Sequence, residues 1–170
     1  MKIRIPIPPK ELNEHSLEQA PHFSTSLTLR VGDMNYGNHM GNDTVLSLAH
    51  EFRVRFLHQY SQNELSFFKR GIIMSDSAIQ YRAQGFWAQE IRANLWFIPT
   101  GSTRFDIYYQ LQSPKDKSHE DSTKQWYDVA YVKTGQVFFD YEKQKVSPPQ
   151  DQGLEEYQSF LTDLGISKLL

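Results

Sequence analysis

The chain has 170 residues, with 18 Lys or Arg against 20 Asp or Glu for a formal net charge of −2, and no cysteine. A length of this order suits one hydrophobic core, and 39% apolar with 14% aromatic residues is ample for burial, so disorder and a basic nucleic-acid footprint are both disfavoured. The missing cysteines exclude disulfides, thiolate metal sites, iron-sulfur ligation and cysteine nucleophiles together.

The start MKIRIPIPPK places Pro6, Pro8 and Pro9 where a signal peptide would need a helical apolar stretch. Apolar runs such as Leu95 to Ile98 reach four residues, against roughly 18 needed to span a bilayer. The expectation is one soluble, cytoplasmic domain over 1–170 without membrane insertion. Residues 1–24 read as an N-terminal arm, first proline-rich and then polar, with Leu12, Leu17 and Phe23 as anchors.

From Thr25 to Val31, Leu27, Leu29 and Val31 alternate with polar residues, the period of a half-buried strand. The glycine- and asparagine-rich GDMNYGNHMGN follows as a loop. Val45, Leu48, Ala49, Phe52, Phe56 and Tyr60 then recur at three or four residues and predict a helix over 43–60, about 27 Å long. Asn42 or Asp43 is placed to cap its first turn.

Gly71 to Arg82 reads as a strand with an irregularity near Ser75 to Ser77. Ile91 to Phe97 alternates before a turn at Pro99, Thr100 and Gly101, and Phe105 to Gln112 alternates after it, predicting an antiparallel pair. Ser113 to Lys124 lacks apolar residues and reads as an exposed connection. Two strands, Trp126 to Lys133 and Val137 to Tyr141, are predicted on either side of a tight turn at Thr134 and Gly135, and Pro148 with Pro149 ends the sheet. Leu154, Tyr157, Phe160, Leu161 and Leu164 share one face of a last helix, with Asp151 near its start and Gly165 as C-cap. The sum is an α+β domain: an antiparallel sheet of about five or six strands wrapped around one long central helix, with an extra C-terminal helix. Tyr108, Val129, Tyr131 and Phe138 fall on the outward side of this reading, either as ordinary strand aromatics and β-branched residues or beneath another subunit.

Asp33, Asn35, Asn38, His39, Asn42 and Asp43 are concentrated between the first strand and the first helical turn. A helix start offers unbonded amides and a positive dipole end, and Gly37 and Gly41 allow close backbone approach. Such a site suits an acyl carbonyl whose oxygen becomes negative during attack; the plainer reading is a polar loop with an asparagine cap.

The order GDMNYGNHMGNDTVLSLAHEFRVRFL, Gly32 to Leu57, resembles the signature of the hotdog-fold thioesterases related to 4-hydroxybenzoyl-CoA thioesterase and the short acyl-CoA thioesterases. Asp33 stands at the first acid of the family's Asp-x-Asp, His39 at its histidine, Asn42 at the helix-opening asparagine, and Glu51 with Arg53 at its Glu-x-Arg. The stretch from Ile79 and the tail AYVKTGQVFFDYEKQKVSPP resemble the later strands, so the family-like core covers 25–149, leaving 150–170 as a helical extension. The resemblance implies hydrolysis of an acyl-CoA or acyl-carrier-protein thioester in a site between subunits of a homodimer, with a dimer of dimers as a further arrangement. It implies no cofactor beyond the coenzyme A of the substrate. Tyr81 and Arg82 match a pair near the pocket mouth, and Tyr36 joins them as a substrate-binding candidate.

Asn35 departs from the family by replacing the second acid, which in many relatives is catalytic. An amide cannot take a proton from water, although it can hold a water or donate to an oxyanion. The base must then come from Asp33, His39 or the helix residue Glu51, while Gly41, Asn42 and Asp43 at the helix start are the oxyanion candidates. Some plant acyl-carrier-protein thioesterases of this fold rely on Asn and His in this loop. Two other functions compete with hydrolysis: acyl-CoA binding without turnover, for which Asn35 is the motive, and dehydration of 3-hydroxyacyl thioesters. The aromatics Phe52, Phe56, Tyr60, Phe68, Trp87, Trp96 and Trp126 suit either an acyl channel or a core. Lys69, Arg70, Arg104, Lys115 and Lys117 are candidate partners of the coenzyme phosphates. No metal-ligand spacing, Rossmann or P-loop signature is present.

Overall fold

In the computed structural model, which describes residues 4–9, 20–115 and 125–166, the chain forms β1 (Phe23–Thr28), a single 3-10 turn (Val31–Asp33), α1 (Asn42–Gln59), β2 (Gly71–Tyr81), β3 (Glu90–Gly101), β4 (Arg104–Pro114), β5 (Trp126–Asp140), β6 (Lys145–Val146) and α2 (Gln152–Asp163). All pairings are antiparallel, in the order β1-β3-β4-β5-β2, with β6 added to the end of β5. One face of this sheet wraps α1. Val45, Leu48, Ala49, Phe52, Phe56 and Leu57 of the helix are buried in one core with Ile91, Leu95 and Phe97 of β3 and Phe105, Ile107 and Tyr109 of β4. This is the predicted α+β architecture of a six-stranded sheet around a long helix.

The helix extends over 42–59, one residue earlier than its pattern suggests. The first strand runs over 23–28 and stops short of Val31, which is 71% exposed. The cause is local: the Arg30 amide donates to the Asp33 carboxylate at 2.7 Å, curling the chain into the 3-10 turn directly after buried Leu29. The irregularity expected near Ser75 is a register shift between Met74 and Asp76. Strand β3 continues through Pro99 to Gly101 instead of turning there. Since β1 pairs only as far as Leu95, the proline removes no bond to that neighbour. At the other end of β4, Ser113 is strand and fully buried rather than part of the connection. Residues 116–124, including Lys117, lie outside the described residues, as do Leu12 and Leu17.

The largest departure is β5. Thr134 and Gly135 do not turn the chain; they sit inside one 15-residue strand. Gly135 faces Asp106 on β4 and Asp76 on β2, and a Cβ at that position would run into the Asp76 carboxylate. The glycine makes room for this acid, which Lys133 binds at 2.7 Å while also reaching Asp106 at 3.0 Å. The Lys133 hydrogen bond holds the Asp76 carboxyl below its ordinary range, outweighing the small effect of burial.

The sheet's outer face is partly covered from within the chain. Ile5 packs with Trp96, Ile98 and Tyr108 in a second cluster, joined by Ile7, Ala78 and Tyr131. Val129 and Phe138 belong instead to the main core around α1. Helix α2 closes one end of that core: Tyr157 and Phe160 contact Phe67, Phe68, Phe97 and Phe138 with ring centroids 5.2–6.4 Å apart, so Phe68, like Phe52 and Phe56, is core. The helix ends with Gly165 at φ +73°, where its amide reaches Thr162 O and that of Ile166 reaches Leu161 O. This is the expected glycine stop, with both bonds of a Schellman motif.

Candidate active site

The start of α1 is open. Gly41 is the N-cap and no side chain caps the helix, correcting the expectation for Asn42 or Asp43. The Asp33 carbonyl takes the anchoring role, accepting the Gly41 amide at 3.0 Å and the Thr44 hydroxyl at 3.1 Å. Asn42 and Asp43 are already inside the first turn and exposed. A Cβ on Gly41 would come within 2.6 Å of Asp43 Oδ1 and 3.1 Å of Thr44 Oγ1, so the glycine also leaves space beside these groups. First-turn amides have no intrahelical acceptor and carry the positive end of the helix dipole. With the Gly41 amide bound to Asp33, those of Asn42 and Asp43 are the donors this end presents.

The preceding loop braces itself. Asp33 is buried, and its carboxylate accepts the Arg30 amide with Arg30 Nε 3.6 Å away. Asn35 accepts the Gly37 amide at 2.7 Å on Oδ1, and its own amide donates to His39 O at 2.9 Å. His39 Nδ1 lies 2.9 Å from the Gly37 carbonyl. A carbonyl only accepts, so in this contact Nδ1 carries the hydrogen. Asp33 and Asn35 do not share a face: the 3-10 turn breaks the extended backbone that sharing would need, leaving Asp33 buried and Asn35 exposed. Tyr36 is fully exposed at the loop tip. The Met40 amide ties this loop to Gly85 O at 2.8 Å.

Two clefts flank α1. The larger, of about 510 Å³, has Asn42, Asp43, Leu46, Ser47, His50 and Arg53 on its helix side and Met74, Ile79 and Tyr81 of β2 opposite. Tyr81 Oη donates to Asn42 O at 3.1 Å across its mouth. The smaller, of about 320 Å³, lies toward β1 and is lined by Asp33, Ser47, Glu51 and Arg55 among others. Glu51 there is ion-paired with Arg55 at 2.8 Å, and Arg55 also donates to Ser26 O. The sequence candidates are therefore divided. Asn42, Asp43 and Tyr81 meet in the larger cleft, Asp33 and Glu51 in the smaller, and Asn35, Tyr36 and His39 line neither. Arg82 lies over the Tyr131 ring at 5.4 Å, and its amide donates to Val129 O.

The family model of the thioesterase-like superfamily matches residues 29–156. The chain belongs to the thioesterase-like superfamily. Its fold is the hotdog fold, and solved structures share it at low sequence identity. A thioesterase-superfamily protein from Jannaschia sp. CCS1 aligns with a TM-score of 0.69 at 15% identity, over 92% of this chain and 91% of that one. A 1,4-dihydroxy-2-naphthoyl-CoA thioesterase from Synechocystis aligns with a TM-score of 0.67 at 16% identity, over 84% and 96%. A Staphylococcus aureus protein solved in complex with CoA aligns with a TM-score of 0.64 at 11% identity, over 83% and 84%. A search of curated proteins gives no sequence match.

On the helix side of the larger cleft, Arg53 of the Glu-x-Arg element is joined by two groups that the sequence did not single out, His50 and its partner Glu64. Arg53, whose side chain is 8% exposed, donates from Nε to Glu64 at 2.6 Å, and His50 Nε2 meets the other Glu64 oxygen at 3.0 Å. Burial pushes the Glu64 carboxyl up, but hydrogen bonds and charge from Arg53 and His50 outweigh it and hold it below its ordinary value. Arg53 also reaches the fully buried Tyr109 hydroxyl, which burial pushes up and which lies 3.3 Å from Thr134 Oγ1. The spacing of His50 and Arg53 marks a shared helix face. Nothing in that spacing identifies Glu64, which lies beyond the helix end.

Two of the cationic candidates are engaged elsewhere: Lys69 donates to Gln152 at 2.7 Å, and Arg70 reaches Gln150 and Asp140. Trp96 is in the outer cluster, Trp126 lies beneath Arg92 at 4.1 Å, and Trp87 is 61% exposed. Among the described residues no group of three or more His, Asp and Glu could hold a metal, and no helix is long and apolar enough to cross a membrane.

Proposed function

We propose that this protein hydrolyses an acyl-CoA thioester in the larger cleft, at the N-terminus of α1. The observation that carries this reading is the uncapped first turn opening into that cleft, in a hotdog domain of the thioesterase-like superfamily. The Asn42 and Asp43 amides receive the carbonyl oxygen as it gains charge. Tyr81 closes the mouth, and the braced loop from Asp33 to Gly41 fixes the helix start. Asn35, Tyr36 and His39, on the outer side of the loop, meet the coenzyme or a water rather than the acyl group. CoA as carrier is supported by two structural neighbours, one named as a CoA-thioesterase and one solved with CoA. The active form is a homodimer, with the acyl group enclosed between subunits.

Thiol release from acyl-CoAs of graded size tests the reading, and saturable release is the expected result. A specific observation favours one second reading, a binding protein without turnover: Asn35 replaces an acid and its Oδ1 is already bound to the Gly37 amide. Tight acyl-CoA binding with no thiol released from any substrate would establish that reading instead.

A further inference from the structure

A hydrolase at this cleft needs a group to take the proton of water, and one histidine, His50, stands among the residues that line the larger cleft. His50 lies eight residues after Asn42 on α1, about 12 Å along the axis, and both line the same space. Helical side chains lean toward the N-terminus, so the imidazole covers part of that distance. What remains suits a water and a carbonyl in series, each contact being about 3 Å.

The orientation of the ring is also fixed. Glu64 is held ionised by Arg53, and a carboxylate only accepts, so the contact at Nε2 requires the hydrogen there. Nδ1 is then left with its lone pair, and the His50 side chain is 56% exposed. The other charged or titratable groups lining the space are Asp43, Arg53 and Tyr81. Arg53 is bound to Glu64 and Tyr81 to the Asn42 carbonyl. Asp43 Oδ1 is turned back toward the N-cap, 2.6 Å from where a Cβ on Gly41 would stand.

We infer that His50 is the general base of the hydrolysis proposed above, with Glu64 as its positioning residue. The inference rests on that functional reading. Water attacks the acyl carbon as its proton passes to His50 Nδ1, forming the C–O bond and an oxyanion at the helix amides. Collapse of the intermediate breaks the C–S bond, and the imidazolium returns the proton to the departing thiolate. The products are a carboxylic acid and free CoA, with no other reactant consumed.

The test compares intact wild type with His50→Ala, Glu64→Gln and His58→Ala, the last an exposed histidine outside the cleft. His50→Ala is expected to lower kcat at least 100-fold, on the order of a general-base contribution, with KM changed no more than about threefold and activity partly restored by added imidazole. Glu64→Gln keeps an acceptor for Nε2 but removes the carboxylate charge beside the ring. It is expected to cost about tenfold in kcat with KM changed no more than about threefold, a split that a purely structural role would not give. His58→Ala is expected to match wild type. Nitrogen NMR is expected to show the Nε2–H tautomer at His50; the Nδ1–H tautomer would overturn the assignment. If wild type is active and His50→Ala keeps kcat within about threefold, the assignment fails and the functional reading stands. A wild type that releases no thiol overturns both.

Discussion

The two ends of α1 are built from opposite materials. At its C-terminal end Phe56 packs against Tyr60, Phe97 and Phe160 with centroids 5.5–6.2 Å apart, and α2 seals the assembly. At its N-terminal end there is no capping side chain, a glycine stands at the cap, and exposed Asn42 and Asp43 border an open cleft. One helix thus separates two tasks. Aromatic packing supplies stability at one end, and this allows the other end to expose polar groups beside a cleft.

Phe160→Ala is the largest expected break in that division. Removing a buried ring costs about 3–5 kcal/mol, read by urea unfolding, while kcat per folded molecule is expected to stay within about twofold. A parallel collapse of kcat would mean that the ends are coupled. His22 tests the packed end by pH. Its Nδ1 accepts the Phe97 amide at 2.9 Å, and burial pushes the imidazole down to about 4. The unfolded chain therefore binds the proton first on acidification. Stability is full above pH about 6.5 and falls toward pH 4, by a loss on the order of 3 kcal/mol. His22→Gln is expected to flatten that part of the stability–pH curve.

Away from the packed end the effects are smaller. Glu64 has a folded pKa held below its unfolded value, so its contribution is present above the ordinary carboxylate range and is lost as pH falls through the folded value. Glu64→Gln is expected to cost about 1–2 kcal/mol at pH 7, and the difference from wild type should shrink as pH falls through the folded carboxyl's lowered value. The smallest effect is assigned to Glu51→Gln, which breaks an exposed pair worth about 0.3–0.5 kcal/mol and lies across the helix from the larger cleft. Its activity is expected to match wild type. A loss above about tenfold would move the chemistry to the smaller cleft.

The packed end was the more legible one from sequence. Helical spacing from Val45 to Phe56, strict alternation in β3 and β4, and the apolar face and glycine stop of α2 each record burial directly in the order of residues. Gly135 misled because a glycine that accommodates a cross-strand acid has the same letter as a glycine that turns the chain. At the open end, the signature located the loop and helix start but not how its side chains divide. Asn42 resembles a cap in sequence, yet it lies inside the first turn, and the Asp33 carbonyl that anchors the helix start leaves no trace in residue type. Glu51 and His50 are adjacent in the chain but point into different clefts. The partner of Arg53 proved to be Glu64, on a segment whose return to the helix only the fold decides.

The unbroken course of β5 has a consequence for how the protein opens. Most of its 15 residues have a neighbour on both sides, β4 and β2, so these amides cannot reach solvent by fraying of a sheet edge. Deuterium is expected to enter 130–137 last, at a rate set by global unfolding, and well after β1 at the margin has exchanged.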